Sequence, residues 1–600
     1  MRFFVLRISW LILDWGNDCM INLPELAQAS QPSPDGSKII ETTPRTTVQI
    51  SWPDGRVFEG PKGTTIETFA RVAYPENDPP IVACVVNNQI RELTYHAYTD
   101  LVVEPITLAQ SDGLRIYRRS LSLLLVAAAE ELFPGIRIII GYGLNFGAFY
   151  FEIDNHAPLT QADLQQLKNC MQELVDADLP IGKERVPVEE ASQYFAQKGW
   201  HDKIRLLQTR HKDYLTLYTL HHTRDYMQGY MAPSTGYLKL FDVSLYGDGY
   251  VLQYPLRTQY SILQSPVTYP KLVGVFNEYQ DWMRALDVYD VGKLNIIANT
   301  QKMQELILVS EALHEQRIAQ IATTIDQKGD QIRLISISGP SSSGKTTCSK
   351  RLAIQLRAHG RRLMMLSLDN FFVNRSETPC DEEGDYDYES LYALDLPLFN
   401  LVLSKLINGQ EVTLPKYNFY TGMREWGEPF SISHDTLIII EGIHGLNPEL
   451  LTEIPPEQVF RVYVSALTQL NLDHHNRVPT TDTRLLRRVV RDAAHRGYTA
   501  AETITRWPKV RRGEYKWIFP YQENADVLFN SALVYELAVL KPLAEPLLLQ
   551  VEPGKPPYRE AKRLLSFLQW FQPLEDDSII PDNSILREFI GGSILRDYSP

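Results

Sequence analysis

The sequence predicts an α/β protein whose second half is a parallel-sheet domain preceded by two smaller modules, and three observations support this. Residues Leu334–Thr347 read L-I-S-I-S-G-P-S-S-S-G-K-T-T, a short strand running into a glycine loop. Apolar strand-like runs then alternate with helical stretches, as a parallel sheet requires. Residues 47–112 combine a hairpin pattern with one short helix, which is typical of a small mixed α+β module.

The glycine loop is the most specific motif, because residues 339–346 fit G-x-x-x-x-G-K-[ST] and a helix is predicted directly afterwards over Ser349–Ala358. Backbone N–H groups of such a loop approach phosphate oxygens closely, and the helix N-terminus adds positive potential. We expect Lys345 to reach the β- and γ-phosphates of ATP and Thr346 to bind Mg²⁺, a chance Gly/Ser turn being the alternative. The predicted ATP-binding residues are Gly339, Pro340, Ser341, Ser342, Ser343, Gly344, Lys345, Thr346 and Thr347.

The composition limits the number of domains and the kinds of partner that the chain can have. The chain has 600 residues, 44% of them apolar, which is enough for three or four globular domains. Its net charge of −14 argues against a broad nucleic-acid footprint but leaves a local basic patch open. The five cysteines are scattered and form no C-x-x-C pair, so we expect reduced thiols in a cytoplasmic protein.

Residues 1–46 are predicted to be an N-terminal tail and linker. The apolar run at residues 3–13 is interrupted by Arg7 and is too short to span a bilayer, so no membrane contact is expected. Residues 28–46 are rich in Ser, Pro, Thr and Gly, as linkers are. Met20 is a second candidate for the start of the chain, a hypothesis that an N-terminal mass measurement on native protein would test.

A β-grasp pattern begins at Thr47. The predicted elements are strands at Val48–Trp52 and Arg56–Phe58 around a turn at Pro53–Gly55, a helix at Thr65–Ala70, and strands at Ile81–Val86 and from Thr107 onward. This order resembles the TGS domain, the small β-grasp module at the N-terminus of threonyl-tRNA synthetases, over residues 47–112. Another small α+β module is the alternative.

Residues 113–262 resemble the second additional domain of threonyl-tRNA synthetases, an α+β editing-like domain, through Arg118–Pro134 and Pro233–Gly236. In that family two histidines on the helix and a later cysteine and histidine form a metal-dependent editing site. The corresponding positions here are Arg119, Leu123, Met227 and Met231. Arginine and leucine do not bind zinc and thioether is a poor ligand for it, so we expect the fold without that chemistry.

The other segments carry weaker signals. A basic stretch, Arg205 to Lys212, leaves RNA contact through the N-terminal modules open, with a solvated face as the alternative. Residues 263–330 are predicted to be a helical connector, mainly from the apolar spacing between Val291 and Asp326. The parallel-sheet domain is expected over 331–545, followed by a C-terminal tail at 546–600 with one amphipathic helix at Tyr558–Phe571.

A carboxylate follows the next predicted strand, within Ser367–Phe372 (S-L-D-N-F-F), at the sheet edge where ligands of such folds bind. With the glycine loop it resembles the phosphoribulokinase/uridine kinase family, in which this aspartate accepts the proton of the attacking hydroxyl. The resemblance implies that role for Asp369, an N-capping aspartate being the alternative. It also implies that Glu389 binds sugar hydroxyls, and that Tyr417 and Arg424, on a hairpin, bind the acceptor.

Two positions depart from the uridine kinase pattern on the side that would read the base. Gly422 stands where that family has a histidine, and Arg506 stands where it has a glutamine. A site that hydrogen-bonds a base discriminates strongly only through such groups, so uridine in particular is a weaker expectation.

The predicted strand Leu437–Ile440 ends in Glu441, placed as a Walker-B-like acid near Mg²⁺. The candidate metal ligands are therefore Thr346, Asp369 and Glu441.

Residues Thr481–Gly497 resemble the family's lid, a helix whose arginines close over the phosphates. Arg484, Arg488 and Arg491 share one face, and Arg496 follows at the helix end. Guanidinium groups suit the spread charge of a transferring phosphoryl, and a solvated basic helix is the alternative. The predicted catalytic residues are Lys345, Asp369, Arg488, Arg491 and Arg496, with Arg488 also a candidate for substrate binding.

These patterns together predict an ATP- and Mg²⁺-dependent kinase that phosphorylates a primary hydroxyl of a nucleoside-like small molecule. Another sugar-like acceptor remains open. An alternative from a different class is a nucleotide-gated protein that binds RNA or a partner through its N-terminal modules. Intact Lys345, Asp369 and lid arginines count against it, because a sensor needs neither a proton acceptor nor a closing lid. The sequence does not indicate an oligomeric state.

Overall fold

The first module is a five-stranded mixed sheet with one helix against it. The structure is a computed structural model that describes residues 43–298 and 300–599, so residues 1–42 of the predicted tail and linker, with the Met20 start, lie outside the described residues. The sheet order is β2-β1-β7-β4-β5, with β1 parallel to β7. The elements are β1 (Thr47–Ser51), β2 (Val57–Pro61), β3 (Thr64–Thr65), α1 (Ile66–Ala73), β4 (Ile81–Val86), β5 (Gln89–Glu92), β6 (His96–Ala97) and β7 (Leu101–Thr107).

Local sequence explains this module. Val48 and Ile50 alternate with polar residues along β1 and are buried, so one face of the hairpin covers the core. The Thr65 hydroxyl caps α1 by accepting a hydrogen bond from the Thr68 N–H. The expected strand from Thr107 onward was wrong: Thr107 ends β7, and a helix begins four residues later.

That helix opens the second module, in which two antiparallel sheets surround a long buried helix. The sheets have the orders β13-β14-β9-β8 and β10-β11-β12. The elements are α2 (Ser111–Leu132), β8 (Arg137–Leu144), β9 (Ala148–Asp154), α3 (Gln161–Asp176), β10 (Gly182–Pro187), α4 (Val188–Gln197), α5 (His201–Gln208), β11 (Tyr214–Leu220), β12 (Thr223–Asp225), β13 (Asp242–Tyr246) and β14 (Gly249–Gln253). The predicted boundary between residues 112 and 113 falls in the first turn of α2.

The four positions at which the synthetases bind metal have other surroundings here. Leu123, Met227 and Met231 are buried in one apolar core, and Arg119 donates to the Tyr230 carbonyl. Within residues 43–298 and 300–599, the one group of three candidate metal-ligand side chains is Asp381, Glu383 and Asp385, on a loop of the second half. The geometry therefore offers no metal set at the editing-like positions.

Three helices connect the two halves of the chain: α6 (Pro270–Ala285), α7 (Val291–Ile297) and α8 (Gln301–Gln327). The helical pattern predicted from Val291 to Asp326 is thus two helices. Ile318, Ile321 and Ile325 of α8 are buried in the same apolar core as the glycine-loop strand. No helix among the described residues is long and apolar enough to cross a bilayer.

The second half is built on a five-stranded sheet, order β16-β19-β15-β20-β21, in which every neighbouring pair is parallel. The predicted α/β class is confirmed. The glycine loop joins the central strand to α9. The elements are β15 (Leu334–Ser338), α9 (Lys345–Ala358), β16 (Leu363–Ser367), α10 (Leu396–Ile407), β17 (Val412–Asn418), β18 (Met423–Phe430), β19 (Leu437–Glu441), β20 (Val459–Ser465), α11 (Thr480–His495), α12 (Ala500–Trp517), β21 (Val527–Asn530), α13 (Glu536–Leu549), α14 (Pro557–Leu568) and α15 (Arg587–Ile590).

The C-terminal segment is part of this core. The predicted boundary between residues 545 and 546 falls inside α13. Ile585, Leu586 and Phe589 are fully buried, and Ile585 lies against the glycine loop.

A buried ionic cluster joins the second module to the parallel-sheet domain. Lys203 of α5 lies 2.8 Å from Asp225 and 2.9 Å from Asp473, and all three side chains are at most 2% exposed. His475 Nδ1 lies 2.6 Å from the Asp225 carboxylate. Because Asp473 and His475 belong to the loop between β20 and α11, the N-terminal half fixes the segment that leads into the predicted lid.

Candidate active site

Two glycines shape the loop between β15 and α9. A Cβ at Gly339 would lie 1.9 Å from the Val464 carbonyl oxygen, and one at Gly344 would lie 2.5 Å from Ile585 Cγ2. Both residues also have positive φ, 154° and 83°, which favours glycine. The close approach that the sequence pattern demands is therefore visible in the backbone.

The polar groups of this loop fit a polyphosphate. The hydroxyls of Ser342 and Ser343 are buried and have no hydrogen-bond partner within the described part of the chain. Lys345 is 8% exposed, and its Nζ donates to the Pro340 carbonyl at 3.1 Å without a carboxylate partner among the described residues. A phosphate chain would supply acceptors for the buried donors and an ion-pair partner for the ammonium of this glycine loop.

The predicted metal ligands meet at the end of the central strands. Thr346 Oγ1 lies 3.5 Å from Glu441 Oε2, and Glu441 ends β19 beside Ser367 of β16. Burial raises the pKa of Glu441 to about 7; Lys345 opposes this rise, and the nearby charge of Asp369 adds to it. Two carboxylates and a hydroxyl are oxygen donors of the kind Mg²⁺ prefers, so these residues fit the ion.

Asp369 lies in a short 3₁₀ turn directly after β16 and is exposed. Ser367 caps that turn by accepting from the Asp369 N–H, so the capping alternative is not what the geometry shows. Crowding by protein atoms raises the pKa of Asp369, and the positive charges of Lys345, Arg496 and Arg491 oppose that rise. The carboxylate thus faces the loop lysine and two lid arginines.

The lid helix α11 divides its arginines into two groups. Arg488 donates to Ser341 Oγ at 2.8 Å, Arg491 pairs with Asp492 at 2.8 Å, and Arg496 Nε lies 3.7 Å from the same carboxylate. Arg488 also lies 3.3 Å from Asp492, so one carboxylate faces three guanidinium groups. The excess positive charge lies beside the glycine loop.

Arg484 and Arg487 have structural contacts instead. Arg484 is 1% exposed, pairs with Glu514 and donates to the Ser341 carbonyl at 3.0 Å. Arg487 pairs with Glu536 and is fully buried. Arg484 shares its sequence face with Arg488, but its charge is neutralised.

The residues predicted to bind the acceptor have different surroundings in the structure. Glu389 packs against α12. A Cβ at Gly513 of that helix would lie 2.2 Å from the Cβ of Glu389. Burial raises the pKa of Glu389 to about 7 against the lowering effect of Arg488. The Tyr417 hydroxyl is buried with no partner among the residues described. Arg424, by contrast, pairs with Asp395 at 3.0 Å and donates to the Phe372 carbonyl at 3.1 Å.

The two departures from the uridine kinase pattern also have visible surroundings. A Cβ at Gly422, φ 72°, would lie 2.7 Å from Arg375 Cζ, so Arg375 fills the space next to the hairpin turn. Arg506 is exposed and its guanidinium lies 4.0 Å from the ring centroid of Tyr498.

One contact at the loop was not signalled by any sequence pattern. The Thr347 N–H and hydroxyl both donate to Glu588 Oε2, at 3.1 Å and 2.8 Å. Lys350 in the next turn of α9 donates to the Leu595 and Arg596 carbonyls at 2.7 Å and 2.8 Å. The C-terminal segment therefore places a carboxylate at the N-terminus of α9, directly after the glycine loop.

Comparison with known proteins divides the chain into two parts. Residues 334–538 match the sequence model of the Phosphoribulokinase / Uridine kinase family. A Bacillus stearothermophilus structure described as "a Possible Uridine Kinase" shares 21% identity, covering 36% of this chain and 98% of that one with a TM-score of 0.26.

The N-terminal half is similar to threonine–tRNA ligases. The Symbiobacterium thermophilum enzyme is 29% identical over 197 residues, 33% of this chain and 30% of that protein. Threonine–tRNA ligase 1 of Bacillus subtilis is 32% identical over 195 residues, 32% of this chain and 30% of that protein. The chain thus spans about a third of the length of these relatives. The chain contains a phosphoribulokinase/uridine kinase family domain, a P-loop kinase fold, in its second half, joined to N-terminal modules like those of threonine–tRNA ligases.

Proposed function

We propose that this protein is an ATP- and Mg²⁺-dependent kinase that phosphorylates a primary hydroxyl of a nucleoside. The observation that carries the proposal is the convergence of three kinds of group on one cleft. Lys345 lies in the glycine loop, Asp369 faces it from β16, and Arg488 contacts the same loop from the lid. Phosphoryl transfer needs positioning, a proton acceptor and concentrated positive charge, and these residues supply all three.

Each residue has a definite part in the proposed reaction. The acceptor oxygen forms a bond to the γ-phosphorus, the bond to the β–γ bridging oxygen breaks, and the hydroxyl proton passes to Asp369. Lys345, Arg488, Arg491 and Arg496 stabilise the negative charge that spreads over the transferring group. Mg²⁺, held by Thr346, Asp369 and Glu441, would neutralise phosphate charge.

The acceptor side supports a nucleoside more than a small alcohol. Glu389 offers a carboxylate that can accept hydrogen bonds from two neighbouring hydroxyls. The rings of Phe372, Tyr417 and Phe419 cluster with centroids 5.0–6.0 Å apart and offer faces to a planar base. Arg375 beside Gly422 replaces the uridine kinase histidine with a different donor, so the base preference is proposed to differ from uridine.

A panel assay tests the proposal. The full chain is mixed with ATP, Mg²⁺ and one acceptor at a time, chosen from nucleosides, ribose derivatives and pantothenate-like alcohols, and ADP release is followed. Asp369→Asn is expected to lose at least about 100-fold in rate, the usual scale of general-base loss, while the exposed Asp435→Asn keeps full rate. If every acceptor is silent while ATP binds, the kinase proposal fails and the nucleotide-gated alternative takes its place.

A further inference from the structure

A cavity of about 580 Å³ lies outside the kinase cleft, where the N-terminal module, the loop before the lid and helix α14 meet. Twelve arginine and lysine side chains line it, against two carboxylates, Asp112 and Asp482. Its volume is within the usual range for small-molecule sites. The excess of positive charge sets it apart from an ordinary gap between modules.

Some of this charge is neutralised by the protein. Arg115 and Arg563 share Glu560, and Arg484 and Arg511 share Glu514. Five other arginines have no carboxylate partner within the described residues: Arg118, Arg119, Arg210, Arg477 and Arg559.

Four of these five guanidinium groups have contacts that hold them in place without neutralising them. Arg119 donates to the Tyr230 carbonyl at 2.6 Å, and Arg210 donates to the Tyr214 carbonyl at 3.0 Å. Arg477 lies 5.0 Å and Arg118 5.5 Å from the centroid of the same ring, Phe149. A guanidinium stacked on a ring keeps its N–H edge free for a phosphate.

The partial burial of these charges is unfavourable in the absence of an anion. Burial lowers the pKa of Arg119 to about 10; the charges of Arg118, Arg115 and Arg563 act in the same direction, and Tyr218 opposes them. Burial likewise lowers the pKa of Arg477 to about 10. Both groups stay charged at neutral pH, so the unfavourable energy remains until an anion enters the cavity.

We propose that this cavity binds a nucleotide-sized small molecule carrying two or more phosphate groups. Arg118, Arg119, Arg210 and Arg477 would bind the phosphates. The rings of Phe149 and Trp570 form apolar walls beside them. The site is composite, because Arg477 comes from the kinase domain and Trp570 from the segment after α14, so it exists only when all three parts are assembled.

Inorganic tripolyphosphate is a suitable probe, used with the full chain carrying Lys345→Ala to weaken the glycine loop. Calorimetric titration at two salt concentrations is expected to show binding that weakens with salt. Arg119→Gln and Arg477→Gln should each weaken it about 10- to 100-fold, the usual value of a charge-assisted hydrogen bond. Arg362→Gln, on an arginine that is 68% exposed, is the matched control and should leave affinity within about twofold.

Stability measurements separate a binding defect from misfolding. Removing an uncompensated, partly buried charge is expected to keep or raise the melting temperature of Arg477→Gln in the absence of the probe. Absence of tripolyphosphate binding, or binding that both variants retain, would overturn the proposal. The proposal would also be overturned if tripolyphosphate does not bind but an RNA hairpin binds and both variants lose that binding, because the cavity would then be an RNA-binding site.

Discussion

Replacing Glu588 by glutamine is expected to strengthen ATP binding. The Glu588 carboxylate accepts from the Thr347 N–H and hydroxyl, in the first turn of the helix that follows the glycine loop. In the proposed kinase these groups face the phosphates of ATP. A carboxylate and a phosphate oxygen that compete for one donor lie about 4 Å apart, which corresponds to a repulsion of about 4 kcal/mol at an effective dielectric constant of about 20.

Solvent screening reduces this figure, because Glu588 is only partly buried. We expect Glu588→Gln to gain about 1–3 kcal/mol of ATP binding free energy, roughly a 5- to 150-fold lower Kd. The glutamine carbonyl can still accept from Thr347, so the fold is retained.

Titration with a fluorescent ATP analogue and Mg²⁺ measures the effect, with the exposed Glu575→Gln as control. If the Kd of Glu588→Gln stays within twofold of the parent while its melting temperature is unchanged, the reasoning about the shared donor is wrong.

Three further outcomes are expected. Gly513→Ala places a Cβ 2.2 Å from that of Glu389, and we expect the clash to displace Glu389 alone. The KM for the acceptor should therefore rise at least about tenfold while the Kd for ATP stays unchanged. Because the pKa of Glu389 is about 7, acceptor binding should strengthen about tenfold between pH 6 and pH 8 as the carboxylate ionises, and Glu389→Gln should remove this dependence from the KM profile. Lys203→Met leaves Asp225 and Asp473 buried without their cation and should lower the free energy of unfolding by about 3–5 kcal/mol in urea titrations, whereas the exposed Lys302→Met should change it by less than about 0.5 kcal/mol.

The parts of the fold that the sequence predicts are those set by local constraints. The glycine pattern from Gly339 to Thr346 depends on close approach of the backbone to other groups. A run of four apolar residues before Glu441 is typical of a buried strand when strands and helices alternate along the chain. Boundaries were less well predicted. Helix α9 begins at Lys345 and not at Ser349, because the loop passes directly into the helix at Gly344.

The arginines of the lid show why the rest could not be predicted. Arg484 and Arg488 are four residues apart, so the sequence places both on the same helix face. In the structure Glu514 neutralises Arg484, whereas Arg488 contacts Ser341 Oγ. Glu514 is 30 residues away in the chain, on the next helix, and no periodicity signals it. Glu588 is likewise 241 residues from Thr347, within a segment for which the sequence made no prediction. Long-range pairs of charges are decided by packing, which a local pattern does not contain.

The loop between β20 and α11 connects the N-terminal modules to the helix that carries the proposed catalytic arginines. Its Ala466–Pro479 span includes Asn471, whose amide donates to the Ile140 carbonyl at 2.8 Å, and His474, whose N–H donates to Asp202 at 2.8 Å. Asp473 of the same loop meets the buried Lys203. The loop ends where the lid helix begins, at Thr480, so its contacts with the second module set the starting position of the helix that carries Arg488 and Arg491. The second module therefore has a structural role in this chain, because the start of helix α11 is anchored on it.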